Sequence, residues 1–167
     1  MATTFFPGSF DPLHLGHVDV IEQASALFGP VIVATMYNPE KPGGMFTIEQ
    51  RKEMIAETVG HLPGVRVEAF TGLVVDAAAM VGADFIVKGL RTAGDFEFEL
   101  QMAHTNESVT GIRTVFLPTS ARWSFVSSRF VREIAQYGGD VRHLVPAPVA
   151  RRLAELPGHI SRTTEQP

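Results

Sequence analysis

Short runs of almost wholly apolar residues alternate with longer stretches in which apolar side chains return every three or four positions. The runs Thr3–Phe6, Val31–Met36, Val65–Phe70, Phe85–Lys88 and Thr114–Leu117 are rich in Val, Ile and Phe. Such runs are the pattern of strands covered on both faces of a parallel sheet. In the first stretch between them Val18, Ile21, Ala24, Ser25 and Phe28 fall at helical spacing, and Gly29-Pro30 stops the helix. Thr47 and Gln50 make a capping box ahead of Ile48, Met54 and Ile55. Further helices are predicted over Val74–Val81, Asp95–Asn106, Ser127–Tyr137 and Ala147–Glu155. Strand–helix repetition with right-handed crossovers predicts a doubly wound α/β sheet. In such sheets ligands sit beyond the carboxyl ends of the strands, where the strand order switches.

No repeat or linker interrupts Thr3–Leu156, so one domain over 1–157 is expected, followed by a polar, frayed tail over 158–167. A chain of 167 residues with 45 % hydrophobic and 19 % charged positions has enough apolar matter for one core. The net charge of −4 argues against a broad nucleic-acid surface and leaves room only for a local cationic pocket. There is no cysteine, which excludes disulfides, thiolate metal sites and a cysteine nucleophile. The start, Met1-Ala2-Thr3-Thr4, lacks the regions of a signal peptide, and no apolar run reaches membrane-spanning length. A soluble, cytoplasmic protein is the expectation.

Three segments carry candidate chemistry. The first is Phe6-Pro7-Gly8-Ser9-Phe10-Asp11-Pro12-Leu13-His14-Leu15-Gly16-His17. A strand ends, a turn follows, and two histidines three apart open a helix. Gly8 and Gly16 allow close backbone approach, and the helix start at Leu15–Val18 is expected to offer free N–H groups to an anion. His14 and His17 would donate to phosphate oxygens there. Alone, the pair reads as readily as a structural cap, and a zinc site lacks a third ligand at a fitting spacing. Ser9 offers a hydroxyl in the same turn, whereas Asp11 before Pro12 is expected to close an Asx turn.

The second segment, Val87-Lys88-Gly89-Leu90-Arg91, places two cations and a glycine where an apolar strand ends. Cations there neutralise phosphates; a solvated basic turn is the plain alternative. The third, Trp123-Ser124-Phe125-Val126-Ser127-Ser128-Arg129, leads into a helix that Ser127 or Ser128 would cap. Arg129 and Arg132 share a helical face and are expected to reach one anion. Lys41, in the Gly/Pro-rich stretch Asn38–Gly44, reads as a mobile cation over the site or as an ordinary solvated lysine. Glu99, in the acidic run Asp95–Glu99, reads as an acceptor for a nucleotide sugar or as a solvated helix face.

Taken together these segments resemble the nucleotidylyltransferase superfamily with its (H/T)-x-G-H signature. More closely, nearly all of Thr3–Leu156 is similar to the bacterial phosphopantetheine adenylyltransferases. The matches are Pro7–Pro12, Gly16-His17, Met45-Phe46-Thr47, Lys88–Arg91, Asp95-Phe96-Glu97, Trp123–Ser128 and Gly138–Val141, in order and at the family's spacing. The resemblance implies reaction of ATP with 4′-phosphopantetheine to give dephospho-coenzyme A and pyrophosphate, in coenzyme A synthesis. It also implies a Rossmann-like fold, Mg2+ bound through the ATP phosphates, and a homohexamer.

Residue by residue, the resemblance makes His17, Lys41 and Arg91 the catalytic set, with His17 at the α-phosphate. It implies that ATP meets Ser9, Phe10, His17, Gly89, Leu90, Arg91, Glu99, Trp123, Ser124, Phe125, Val126, Ser127, Ser128 and Arg129. It implies that phosphopantetheine meets Ser9, Lys41, Val74 and Lys88. Three positions depart from the family's pattern: His14 replaces a common Thr, Phe98 a Tyr, and Arg129 a third Ser. The form His14-x-Gly16-His17 is that of cytidylyltransferase relatives, so a cytidylyltransferase for glycerol phosphate or an adenylyltransferase for nicotinamide mononucleotide is the nearest rival. A non-catalytic nucleotide or coenzyme A binding module is the rival of a different class.

Overall fold

The computed structural model describes residues 2–40 and 43–156. Five strands form one sheet: β1 (Thr4–Gly8), β2 (Val31–Met36), β3 (Val65–Phe70), β4 (Phe85–Leu90) and β5 (Arg113–Pro118). The helices are α1 (Leu15–Phe28), α2 (Ile48–Val59), α3 (Val74–Met80), α4 (Ala93–Thr110), α5 (Ser128–Gln136) and α6 (Ala147–Ala154). The sheet order is β3-β2-β1-β4-β5 and every pairing is parallel. The chain winds outward from β1 to β3 and returns to lay β4 on the other edge of β1. The order therefore switches between β1 and β4.

Burial explains why the strand runs lack polar alternation. In β2, Val31 to Ala34 are each at most 1 % exposed, because helices cover both faces. One face carries the larger core, in which Val33, Val87 and Phe6 meet Ile21 of α1, Met54 and Ile55 of α2, Val131 of α5 and Val149 of α6. The opposite face holds a smaller cluster of Phe5, Ile32, Ala34 and Ile86 against Val75 and Ala78 of α3. Each fully buried large side chain contributes roughly 1.5–3 kcal/mol. The core thus has two halves, one per face, rather than a single mass.

Local signals set the helix ends. Thr47 Oγ1 accepts from the Gln50 amide (3.2 Å) and Gln50 Oε1 from the Thr47 amide (2.9 Å), closing the predicted box. Helix α4 is longer than predicted at both ends. Thr92 caps it by accepting from the Asp95 amide (3.2 Å), and Gly111 ends it at φ 76°, a left-handed conformation that costs glycine little. A 3₁₀ turn at Ala121–Trp123, which no hydrophobic period announces, precedes α5. Ser127, not Ser128, caps α5, through the Phe130 amide (3.3 Å).

Candidate active site

β1 and β4 pair only at Thr4–Phe85 and Phe5–Ile86. Beyond that point the strands part, and β1 runs on to Gly8 while β4 runs on to Leu90. A cavity of about 440 Å³ opens there, at the carboxyl edge where the strand order switches. His14 and His17 of the first segment line it, as do Lys88, Gly89 and Arg91 of the second and Ser127 and Ser128 of the third. Segments more than a hundred residues apart thus meet in one place.

The two histidines are locked by their own backbone. His17 Nδ1 accepts from the His14 amide (3.2 Å), and His14 Nδ1 accepts from the Gly16 amide (3.1 Å). A nitrogen that accepts carries no proton, so the neutral ring keeps its proton on Nε2. The rings stack at 3.6 Å between centroids, a distance at which two imidazolium charges would repel. Burial, and then the nearby Arg91, pushes the His14 imidazole down to about 3. Burial is also the main cause that holds His17 well below the ordinary histidine range, followed by His14, Arg91 and Lys88. Both rings are neutral N–H donors at neutral pH.

The expectation of free amides at the start of α1 is corrected. The Leu15 amide donates to Leu144 O (2.9 Å), the Gly16 amide to His14 Nδ1, and the His17 and Val18 amides to His14 O (2.9 and 3.2 Å). The imidazoles of His14 and His17, rather than this helix end, offer donors to an anion. The first turn of α5, where Ser128 lines the cavity, still has leading amides without intrahelical partners.

Beneath His17 lies Phe10, 2 % exposed, with its ring edge-on to the imidazole at 5.1 Å and against Phe6 at 5.6 Å. Phe10 adopts φ 46°, which a bulky residue rarely does and which persists only when the surroundings impose it. Gly8 is one such constraint: a Cβ there would stand 2.8 Å from the Phe10 ring. The ring of Phe10 is a pedestal for His17.

Asp11 is structural but does not close an Asx turn. Its carboxylate accepts from the Met45 (2.8 Å) and Phe46 (2.9 Å) amides and pairs with Arg51 at 3.3 Å, both side chains at most 10 % exposed. Arg51 also donates to Phe46 O and Ser9 O, at 2.9 and 3.2 Å. Arg132 donates to Asp11 O (2.5 Å) and Ser128 Oγ to Pro12 O (2.8 Å). Helices α2 and α5 thereby grip the turn that carries Ser9 and Phe10. Arg132 is committed to this grip and Arg129 is exposed, so the two do not converge on one anion as expected.

The cations of the second segment have partners. Lys88 Nζ pairs with Glu99 at 3.1 Å and Arg91 Nε with Asp95 at 3.4 Å, both carboxylates coming from α4. Arg91 also donates to Val126 O (3.3 Å), joining β4 to the third segment. To meet an anion, both cations would have to leave these carboxylates.

The remaining predicted positions divide. Ser9 and Glu99 line the cavity. Leu90 lies beside it, its carbonyl accepting from the Thr119 amide (2.8 Å). Val126 is buried, Trp123 packs on the larger core, Phe125 is 63 % exposed, and Ser124 donates to Ala121 O (3.0 Å). Val74 packs on the smaller core at the start of α3, away from the cavity lining. Lys41 lies outside the described residues. Thr119, just past β5, lines the cavity and was not singled out from the sequence; its place one residue beyond a strand's carboxyl end was the available signal.

A second opening of about 600 Å³ adjoins the first at Ser9, bordered by Tyr37, Asn38, Met45 and Arg132. Among the described residues no three His, Asp or Glu side chains come together to hold a metal ion. No helix among them is long and apolar enough to cross a membrane.

A solved structure from Vibrio parahaemolyticus, described as a nicotinate-nucleotide adenylyltransferase, matches the fold with TM-score 0.64 at 18 % identity, covering 92 % of this chain and 99 % of that one. At this identity the likeness speaks for the fold. A cytidylyltransferase-like family model matches residues 5–134, which include β1 from Phe5 on, all of β2 to β5 and the three site segments. By that match over most of its length, the protein belongs to the cytidylyltransferase-like family of nucleotidyltransferases.

Proposed function

We propose that the protein transfers the adenylyl group of ATP to 4′-phosphopantetheine, giving dephospho-coenzyme A and pyrophosphate. The observation that carries the nucleotidyl-transfer part is the meeting of neutral His17, Lys88, Arg91 and Ser128 around one cavity. The choice of ATP and phosphopantetheine rests on the motif resemblance over Pro7–Pro12, Lys88–Arg91 and Trp123–Ser128.

An acceptor phosphate is already a nucleophile at neutral pH. One of its oxygens attacks the α-phosphorus in line, a P–O bond forms, and the bond to the bridging oxygen breaks as pyrophosphate leaves. No covalent enzyme intermediate and no general base are needed. Catalysis is positioning together with stabilisation of charge at the α-phosphate. His17 Nε2–H donates to an α-phosphate oxygen, while Lys88 and Arg91 leave Glu99 and Asp95 to neutralise the chain of phosphates. Ser9 stands where the two openings meet and touches both substrates. By the resemblance, Lys41 contributes a cation to acceptor binding in this reading.

Asp95 and Glu99 are the two carboxylates that line the cavity, too few to form a protein cage for Mg2+ among the described residues. The ion belongs with the ATP phosphates, the kind of site it accepts readily. A homohexamer and a cytoplasmic location are part of the same proposal. Exposed Phe96, Met102 and Val109 on α4, a helix with no fully buried residue, support association with other copies.

The form His14-x-Gly16-His17 favours a second reading, in which CTP or a mononucleotide acceptor such as nicotinate mononucleotide is used. A panel of triphosphates and acceptors, read by pyrophosphate release, separates them. ATP with 4′-phosphopantetheine is expected to be the fastest pair by at least about 10²-fold, within the range a polar specificity site reaches. A faster rate with CTP or a mononucleotide acceptor overturns the proposal. Heat of nucleotide binding with no pyrophosphate from any pair would make the protein a binding module.

A further inference from the structure

Asp19 lies two residues beyond His17 on α1, is 8 % exposed, and has no part in the chemistry described above. Buried carboxylates are costly unless every lone pair finds a donor. Asp19 Oδ1 accepts from Ser120 Oγ (2.5 Å), and Oδ2 accepts from the Ser120 amide (2.8 Å) and Gln23 Nε2 (2.8 Å). Gln23 also donates to Pro118 O at 3.2 Å. All the donors are neutral, and all but Gln23 belong to the segment that leaves β5. A carboxylate placed there serves geometry rather than charge pairing.

That segment runs from Thr119 to Ser128, and both of these residues line the cavity. Its far end is held by Ser128 Oγ on Pro12 O and by Arg91 on Val126 O. Its near end is held to β4 by the Thr119 amide on Leu90 O (2.8 Å) and to α1 by Asp19. Between the two anchors the chain turns through Ala121–Trp123 and exposes Phe125. We infer that Asp19 is a positioning residue for nucleotide binding: it ties the Thr119–Ser128 segment to the helix that carries His14 and His17, and so fixes the spacing between the histidines and the Ser127–Ser128 wall of the cavity. This rests on the reading of that cavity as the nucleotide site.

The charge itself is not required. In Asp19→Asn the amide oxygen can keep the Ser120 amide and Gln23, while the NH2 group donates to the Ser120 hydroxyl, which turns to accept. In Asp19→Ala the Ser120 amide and hydroxyl lose their partner and the segment loses its tie to α1. Small misplacements of a binding wall cost up to about 10²-fold.

The test is calorimetric titration of the full-length protein with ATP and Mg2+, with steady-state constants for 4′-phosphopantetheine alongside. Asp19→Ala is expected to weaken ATP binding about tenfold, with the acceptor KM within about twofold. Asp19→Asn should restore ATP affinity to within about twofold of wild type, and Asp19→Ala/Ser120→Ala should be no weaker than Asp19→Ala alone. Wild-type ATP affinity in Asp19→Ala, equal weakening toward both substrates, or an Asn variant as weak as Ala overturns the inference while leaving the nucleotide site standing. A wild-type protein that gives no ATP binding overturns both. Should Asp19→Ala fail to fold, Ser120→Ala, which deletes only the hydroxyl, must still weaken ATP binding about threefold; an unchanged constant there refutes the tie.

Discussion

His17 Nδ1 accepts a hydrogen bond from the backbone amide of His14, 3.2 Å away, so the proton of the neutral His17 ring sits on Nε2. Protonating Nδ1 would break that bond and set a charge beside the stacked His14 ring and the cations Arg91 and Lys88. The neutral ring thus offers an Nε2–H donor, and under the proposed function that donor meets a phosphate oxygen.

Rate and pH follow directly. Removing one preorganised donor costs about 10²–10³ in kcat, so His17→Ala should lose that factor with a smaller change in ATP affinity. Wild-type kcat should stay level between about pH 6.5 and 8.5, because no imidazolium is consumed as pH rises. Steady-state kinetics across that range check both. A kcat that falls tenfold per pH unit above neutrality would mean that the charged ring is the working form.

His14 makes stability depend on pH in a definite sense. Its folded value, about 3, lies below the 6.5 of the unfolded chain. Above 6.5 neither state binds the proton and nothing is lost. As pH falls below 6.5 the unfolded state takes up a proton that the folded state refuses, so stability declines until about pH 3. Between pH 7 and 5 this one group accounts for about 2 kcal/mol. His14→Asn, which retains a capping side chain, should show a pH 7-to-5 loss smaller by about that amount in urea titrations.

The Asp11–Arg51 pair is a second structural lever. Asp11→Ala leaves a buried guanidinium and the Met45 and Phe46 amides without their acceptor, for a loss of about 3–5 kcal/mol. Denaturant midpoints measure it. A loss under about 1 kcal/mol would show that Arg51 finds other partners at no cost.

Thr4 offers a gain. Its hydroxyl is buried in β1 with no hydrogen-bond partner, at the end of the strand away from the cavity. Thr4→Val removes that unpaired group and should raise stability by about 1 kcal/mol with unchanged turnover. Thermal denaturation with an activity control decides it.

Much of this was legible in local pattern. The apolar runs at Val31–Met36 and Val65–Phe70 became β2 and β3 at the predicted boundaries, and Thr47–Gln50 closed its box. His17 and Ser128 lie at helix starts and Lys88 in the carboxyl half of β4, so the alternation of elements already brings all three to one edge of the sheet. Three of the errors come from long-range contact. The Leu15 amide is consumed by Leu144 O, Asp11 finds amides thirty-four and thirty-five residues away, and Arg132 turns back to Asp11 O. No spacing along the chain reveals such partners. Thr92 and Gly111, by contrast, were local signals for the ends of α4 that the pattern of acidic and apolar residues obscured.

The most direct measurement follows the mass of the acceptor when the protein is incubated with ATP, Mg2+ and 4′-phosphopantetheine. The account predicts that the acceptor gains one adenylyl group, with one pyrophosphate released per product, and that His17→Ala slows both together. An acceptor whose mass stays unchanged while the protein binds ATP, or adenylylation that proceeds undiminished in His17→Ala, would contradict it.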